Sequence, residues 1–350
     1  MTIWYATRED VKTALDSKET ARNNAQIDRA ISAASRSVDG LCHRVFYPQQ
    51  ATRSWDWPAT PGTRPWRLWL DASELISLDA LTSGGRAIDT ADVLLEPNQY
   101  GPPYNRVELN TSSNAVFGGG PTPQRDIVAS GLFGYRDDTT TVGTHTGINA
   151  SATTLTVDAA ASAALGVGSL IRLDDERLIV TGRTMTDTGQ TLAAAVDQQM
   201  KTIALPVTDG SAFAETETIL IGAERMRVEE VAGDTLIVRR AWDGSPNAAH
   251  DTSAAVYAAR TLRVERGAVG TAAAAHTAGG GVVRWDPPPL VRQLTIAEAV
   301  RAMGFEAAGG ARALRSGEAG REGKVDLGAL QSLRDSVYDE HGRKARSRGV

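Results

Sequence analysis

The sequence repeats itself between residues 147 and 285, and this repetition restricts the possible folds more than any other feature. Residues 170–180 (LIRLDDERLIV) match 218–228 (TILIGAERMRV) at a constant offset of 48, which also places Thr154-Leu155 on Thr202-Ile203. Residues 235–240 (TLIVRR) match 261–266 (TLRVER) at an offset of 26, and this match continues from His250 to His276. Internal repetition of this kind identifies a recurring structural unit. The segment therefore contains two copies of one module.

The order of the matching segments predicts that one module is inserted in the other. The two first halves come before the two second halves, whereas a tandem duplication would alternate them. We expect an outer β module at 146–197 and 259–285, with a second β module, 198–258, nested inside it. This arrangement predicts pairing between the strand near Val180 and the strand near Leu262, across about 80 residues. So long an insertion is tolerable because loop-closure entropy grows slowly with loop length. Each module is expected to be a small barrel or sandwich of about six short strands.

The flanking segments, 1–140 and 286–350, show helical periodicity. Thr7 and Asp10 have the spacing of a capping box, and apolar residues recur at three and four from Asn24 and again from Pro287. A last helix is predicted from Leu327 to about His341, after a Gly/Ala/Arg-rich stretch, 304–328, that we expect to be loose. Short apolar runs between 53 and 135 predict a small antiparallel sheet. The predicted fold class is α+β, with a helical core, this small sheet and the large all-β insertion.

Composition excludes several classes of protein. The single cysteine, Cys42, excludes a disulfide framework and a cysteine zinc site. A formal charge of −5 over 350 residues is not the footprint of a general nucleic-acid binder. No run of 18 apolar residues exists, so we expect no membrane span, and the first residues lack the pattern of a secretory signal.

The matched acidic and histidine residues of the two modules are the candidates for chemistry. We interpret them as structural, because each module offers one histidine while a catalytic zinc site needs three protein ligands. The spacing before each histidine is typical of a turn in which the side chain satisfies backbone groups. An acid–base or cation site at these positions is the weaker alternative. We expect no catalytic residue, cofactor or metal, and the structural set is Glu176, Glu224, His250 and His276.

Three segments carry a resemblance to a known family. They are YATREDV at 5–11, IDRAISAASR at 27–36 and DIVASGLFGY at 126–135. RAWDGS at 240–245, RGAVGT at 266–271 and LRDSVY at 333–338 add to it. With them, nearly the whole chain resembles the head-to-tail adaptor (connector) proteins of long-tailed bacteriophages. The large β insertion departs from the smallest members, which are almost entirely helical.

The resemblance implies a structural protein of the virion neck, made in the host cytoplasm. Such proteins form a homo-oligomeric ring, usually a dodecamer, between the portal and a stopper or tail-completion protein. Genomic DNA passes through the channel without sequence-specific binding, and the acidic charge of this chain would weaken phosphate attraction there. A ring closes by heterologous contacts, so each subunit must present two different surfaces.

Two groups of residues are hypothesised to serve this role. The first would bind the portal through the basic C-terminal segment: Arg334, Tyr338, Arg343, Lys344, Arg346 and Arg348. The second would pack subunits together through small and apolar helix positions: Ile27, Ala30, Ile31, Ala34, Leu290, Leu294 and Ala297.

Two other functions remain open at the level of sequence. The chain could be another virion component, such as a decoration or tail-terminator protein, although the helical flanks argue against decoration. It could also be a carbohydrate-binding or cell-wall hydrolase module, which would need two carboxylates across a cleft. The available acidic residues of the N-terminal part stand in no distinctive sequence context: Glu96, Glu108, Asp126 and Asp137.

Overall fold

The computed structural model describes residues 2–15, 24–58, 64–307 and 327–343. The chain divides into two compact units. Unit 1 comprises Met1–Val38, Thr139–Ala268 and Ala272–Val337, and unit 2 comprises Asp39–Asp138, Val269–Thr271 and Tyr338–Val350.

The described residues contain five α-helices: α1 (Arg8–Leu15), α2 (Asn24–Cys42), α3 (Ala159–Ala164), α4 (Pro289–Ala307) and α5 (Leu327–His341). The predicted capping box is confirmed at α1. The backbone N–H of Thr7 donates to Asp10 Oδ2 at 2.9 Å, and the N–H of Asp10 donates to Thr7 Oγ1 at 3.1 Å. None of the helices in the described ranges has the length and apolar character needed to cross a bilayer.

The segment 304–328 that was expected to be loose lies mostly outside the described residues. Its first four residues continue α4 to Ala307, and its last two begin α5 at Leu327. The predicted bounds of the last helix are confirmed.

The described residues of unit 2 form seven strands in two antiparallel sheets. The strands are β1 (Gln49–Trp55), β2 (Arg67–Trp69), β3 (Leu75–Ser83), β4 (Arg86–Ile88), β5 (Val93–Glu96), β6 (Arg106–Leu109) and β7 (Ile127–Phe133). One sheet has the order β1-β7-β3-β4 and the other the order β2-β6-β5. Both contribute to one apolar core that includes Leu68, Val107, Ile127 and Phe133.

In the part of unit 1 that the structure describes, ten strands form one antiparallel sheet. Its strands are β8 (Thr139–Thr144), β9 (Thr154–Thr156), β10 (Leu170–Leu173), β11 (Glu176–Thr191), β12 (Ala204–Pro206), β13 (Thr218–Ile221), β14 (Glu224–Ala232), β15 (Thr235–Arg239), β16 (Ala255–Glu265) and β17 (Gly281–Trp285). The order is β12-β15-β14-β13-β16-β11-β10-β17-β8, with β9 also paired to β16.

Strand register repeats at the two offsets read from the sequence. Val180 pairs with Val264 in β11 and β16, and Val228 pairs with Val238 in β14 and β15. A register irregularity follows each of these pairs at the same place, before Gly182 and before Glu230. The predicted pairing of the strand near Val180 with the strand near Leu262 is confirmed.

One part of the repeat match needs correction. Leu155 of β9 pairs with Leu262, and Leu205 of β12 pairs with Leu236. The equivalent of Leu155 is therefore Leu205 and not Ile203, because the second module holds two more residues before this strand. The sequence match at 154–155 rested on two common residue types and carried little weight.

The predicted fold class is wrong in two respects. Strands account for 37% of the structure and helices for 25%, so the protein is mostly β-sheet and a helical core is not supported. The described strands also form no closed barrel. The physical reason lies in β11 and β16, which are 16 and 11 residues long. Both strands run through the two modules and join them edge to edge, so neither module closes on itself.

Each module nevertheless has its own apolar core. The core of the outer module includes Leu155, Ile171, Leu178 and Leu262. A separate cluster of thirteen buried residues forms the core of the nested module, with Leu205, Ile219, Met226 and Leu236 at the equivalent positions, and it also includes Leu192 and Val196 from before the predicted boundary at 198. Separate cores explain how one module can be inserted in the other without disrupting it.

Candidate functional site

A buried cluster of charged residues occupies the outer module, around Glu176 at the start of β11. Arg266, directly after β16, donates through Nε to Glu176 Oε1 and through Nη2 to Oε2, both at 2.7 Å. The N–H of Gly267 and the N–H of Ala274 donate to the two carboxylate oxygens at 2.9 and 3.0 Å. His276 Nε2 lies 2.8 Å from Oε2. One carboxylate therefore joins a strand, a turn and the loop that follows it.

The nested module carries the same cluster on the equivalent residues. Arg240 reaches Glu224 through Nε at 2.9 Å and Nη2 at 2.7 Å. The N–H groups of Ala241 and Ala248 donate to its oxygens at 3.0 Å, and His250 Nε2 lies 2.9 Å away. The side chains of Glu224 and Arg240 are both fully buried.

The arginines also hold backbone carbonyls of the module's first loop. Arg266 Nη1 donates to the carbonyls of Asn149 and Ala152 at 2.7 and 2.9 Å. Arg240 Nη1 donates to the carbonyl of Asp197 at 2.8 Å. Each guanidinium thus connects an early loop to the second half of its module, and for the nested module this loop includes Asp197, one residue before the predicted boundary at 198.

The clusters shift the ionisation of their acidic members. Burial alone would raise the pKa of Glu176, but the bonds from Arg266, Ala274 and His276 outweigh it and lower the pKa to about 2. The same balance lowers the pKa of Glu224 to about 2. Both carboxylates are therefore ionised at neutral pH, and their oxygens are occupied by donors of the same module. A group in this state holds loops together and is not poised to exchange a proton.

The two clusters differ at one position. Asp174 Oδ2 lies 2.7 Å from His276 Nδ1, so this imidazole contacts two carboxylates. Burial lowers the pKa of His276, but the bonds to Asp174 and Glu176 outweigh it and raise the pKa above its ordinary value. The nested module has Gly222 where the outer module has Asp174. His250 therefore lacks the second carboxylate.

Sequence reasoning placed the two glutamates and two histidines together but missed the two arginines. Arg240 and Arg266 occupy matching positions in the repeat at offset 26, and this match was the available signal. Within the described ranges, no group of three or more histidine, cysteine or acidic residues is arranged to hold a metal ion.

The residues hypothesised to bind the portal lie in different settings. Arg334 of α5 donates to Glu298 of α4 through Nε at 2.6 Å and is partly buried. Tyr338 is half-buried, and its carbonyl accepts from the N–H of Gly342 at 2.7 Å. The N–H of Arg343 donates to the carbonyl of Cys42 at 2.9 Å. Lys344, Arg346 and Arg348 lie outside the described residues.

Most residues hypothesised to pack subunits together are buried within this chain. Five are 7% exposed or less: Ile27, Ala30, Ile31, Ala34 and Leu294. The four from α2 belong to a cluster with Trp4, Val11, Val167 and Ala299, whereas Leu290 and Ala297 are half-buried. The stripe on α2 is thus satisfied inside unit 1, and a role in contact between subunits stays a prediction.

A cavity of about 700 Å³ lies within unit 1, between α1, the segment 163–170 that joins α3 to β10, the nested module and the segment 284–292. Its wall carries seven basic and four acidic side chains. The basic residues are Arg8, Lys12, Arg183, Arg225, Arg227, Arg284 and Arg292, and the acidic residues are Glu9, Asp10, Asp243 and Asp286. These residues come from separate segments of the chain, so no sequence pattern indicated this cavity.

Comparison with known proteins identifies no relative. No family model, no curated protein and no solved structure matches the chain.

Proposed function

We propose that the chain is a virion structural protein, a head-to-tail adaptor that forms a ring between the portal and the stopper or tail-completion protein of a long-tailed bacteriophage. Genomic DNA would pass through the channel of the ring. The proposal starts from the resemblance carried by segments 5–11, 27–36 and 126–135. It does not include the helical core that was expected from the sequence, because the protein is mostly β-sheet.

One observation supports a structural role most directly. The carboxylates of Glu176 and Glu224 are the candidates for chemistry that the repeat indicated. Each is bound by an arginine, two backbone N–H groups and a histidine of the same module. Charged groups used in this way fix loops to strands. A protein that must keep its shape between two assemblies benefits from such fixed loops, and a catalyst would need at least one group available to a substrate.

The end of α5 supports the predicted contact with the portal. In unit 1, Arg334 joins α5 to Glu298 of α4. In unit 2, His341 Nδ1 lies 3.2 Å from the hydroxyl of Tyr135, and its ring packs against Phe46. The helix that precedes the basic residues in the sequence is therefore held in place at its end. Because the end of α5 is already held in place, a basic segment attached to it loses less conformational entropy when it docks on an acidic surface.

Binding to the portal protein of the same phage tests the proposal. The informative variant replaces Lys344, Arg346 and Arg348 with glutamine, and Arg263→Gln, at an exposed position of β16, is the control for a general charge effect. We expect the wild-type protein and the control to bind the portal equally and the triple variant to bind at least tenfold more weakly. A wild-type protein that does not bind the portal at all would contradict the proposal.

A further inference from the structure

We propose that the cavity of unit 1 is a binding site for an acidic peptide segment of another protein, which would place carboxylates between Arg225 and Arg227 of β14. This inference stands apart from the proposed function, since it rests on the cavity alone.

Most charges on the cavity wall neutralise one another. Arg292 binds Asp10 at 2.7 Å, Arg284 binds Asp286 at 2.7 Å, and Arg183 lies 3.7 Å from Glu9. Arg8 forms an ion pair with Asp28, a residue outside the cavity wall, with Nη2 and Oδ2 2.6 Å apart. These four pairs leave Lys12, Arg225, Arg227 and Asp243.

The remaining four residues carry two positive charges in excess. Asp243 is shared, because Oδ1 accepts from Lys12 at 2.7 Å while Oδ2 accepts from Arg225 at 2.8 Å. Arg227 contacts the hydroxyl of Thr13 at 3.2 Å and the face of Trp242 at 5.2 Å, and it has no carboxylate partner in the part of the chain that the structure describes. Two of the three cations that produce this excess, Arg225 and Arg227, lie on β14. The excess contrasts with the net charge of −5 of the whole chain.

The geometry of β14 suits two carboxylates of an extended chain. Residues two apart on a strand point to the same side and are separated by about 6.6 Å, so Arg225 and Arg227 present their guanidinium groups together. Every second side chain of an extended peptide has the same spacing. Guanidinium groups form paired, charge-assisted hydrogen bonds with carboxylates. Thr218, directly opposite Arg227 on β13, adds a hydroxyl to the same side.

The outer module provides an internal comparison, since it occupies the same fold without this face. The positions of Arg227, Trp242 and Asp243 correspond to Ile179, Ala268 and Val269 at the two repeat offsets. The nested module is therefore charged and aromatic at three positions where its copy is apolar. The fold of the module does not require these residues, so their presence on the cavity wall points to a ligand.

Two features favour a peptide over a nucleic acid. A volume of about 700 Å³ is typical of sites for small ligands and short segments and cannot hold a duplex. Single-stranded nucleic acids bind by stacking bases on open aromatic faces, but Trp242 is already stacked by both Arg227 and Arg239, at 5.2 and 5.4 Å. The other aromatic residues of the wall are 5% exposed or less: Trp4, Tyr5 and Trp285.

Fluorescence anisotropy with a labelled hexaglutamate peptide tests the site at near-physiological salt. The main variant, Arg227→Ile with Trp242→Ala, introduces the residues that the outer module carries at these positions, so the fold is expected to survive. Arg225→Gln is an independent second variant, and Arg263→Gln, outside the cavity, is the matched control. Circular dichroism checks that each variant is folded.

We expect hexaglutamate to bind the wild-type protein and the control equally. Both cavity variants should weaken binding at least tenfold, because each removes a charge-assisted contact. Absence of binding to the wild-type protein, or equal weakening by Arg263→Gln, would overturn the proposal. A labelled oligothymidine that binds more tightly than hexaglutamate, with the same dependence on Arg225 and Arg227, would overturn it in favour of a nucleic acid.

Discussion

Replacement of Arg240 by alanine removes the centre of the buried cluster in the nested module. The side chains of Arg240 and Glu224 are both fully buried, and two charge-assisted hydrogen bonds join them. The substitution removes the guanidinium that does most to lower the pKa of Glu224 and leaves this buried carboxylate with the N–H groups of Ala241 and Ala248 and the ring of His250 as its remaining contacts. It also leaves the carbonyls of Asp197 and Ala248 without their guanidinium donor.

The expected loss in the free energy of unfolding is about 3–5 kcal/mol, the usual cost of leaving one partner of a buried ion pair. Arg301→Ala is the matched control, because Arg301 is 44% exposed and lies 3.8 Å from Glu298 on the same helix. An exposed pair of this kind contributes about 0–1 kcal/mol. Arg266→Ala should cost about as much as Arg240→Ala, because the cluster of the outer module repeats the same bonds.

Urea unfolding followed by circular dichroism measures these differences, with the slope of the transition showing whether the denatured state is unchanged. We expect the two cluster variants to unfold at clearly lower urea concentrations than the Arg301 variant. A loss below about 1 kcal/mol for Arg240→Ala, or a loss equal to that of the control, would refute the view that the clusters hold the modules together.

Three further predictions concern ionisation and topology. Burial alone would raise the pKa of Glu224, but its hydrogen-bond donors outweigh burial and lower the pKa to about 2. The contribution of Glu224 to stability is therefore present above pH 4.5 and is lost as the pH falls towards 2, and Glu224→Gln should flatten this part of a pH-stability profile. Asp174→Gly introduces the residue of the nested module and should lower the pKa of His276, as measured by NMR titration, because one of its two carboxylates is removed; an unchanged pKa would contradict the assignment. Thr184 and Thr261 are directly opposite each other in β11 and β16, and the Cα atoms of such cross-strand pairs are close enough for a disulfide, so cysteines at both positions should form one, seen as a mass decrease of about 2 Da on oxidation; failure to oxidise would contradict the register of β11 with β16.

The repeat allowed strand pairing to be predicted across about 80 residues, because matching sequences at offsets of 48 and 26 adopt matching registers. The barrel prediction failed because strand length was not visible in the pattern. In β11 the polar residues from Arg183 to Thr191 continue a strand that apolar alternation would have ended near Val180.

Amphipathic periodicity predicted α1, α2, α4 and α5, but it missed the short helix α3 inside the segment expected to be all-β, and it did not show what the helices pack against. Ile27 and Ile31 form the expected stripe on α2, yet this stripe is covered by residues of the same unit, including Val167 from a loop of the β region. Periodicity shows that a face is buried and carries no information on its partner.

Candidate sites were predictable only where the repeat linked their residues. Glu176 and His276 are 100 positions apart and were grouped because Glu224 and His250 match them. Lys12, Arg225 and Asp243 lie in three separate segments, and the ion pairs of Asp243 with Lys12 and Arg225 on the cavity wall form only in the folded chain.

The oligomeric state of the purified protein tests the central claim most directly. Native mass spectrometry gives the copy number, and negative-stain images of the same fractions show the shape, with and without the portal protein. A head-to-tail adaptor should form closed rings of about twelve copies, alone or after addition of the portal. A protein that stays monomeric in both conditions, with no ring in any image, would contradict the account.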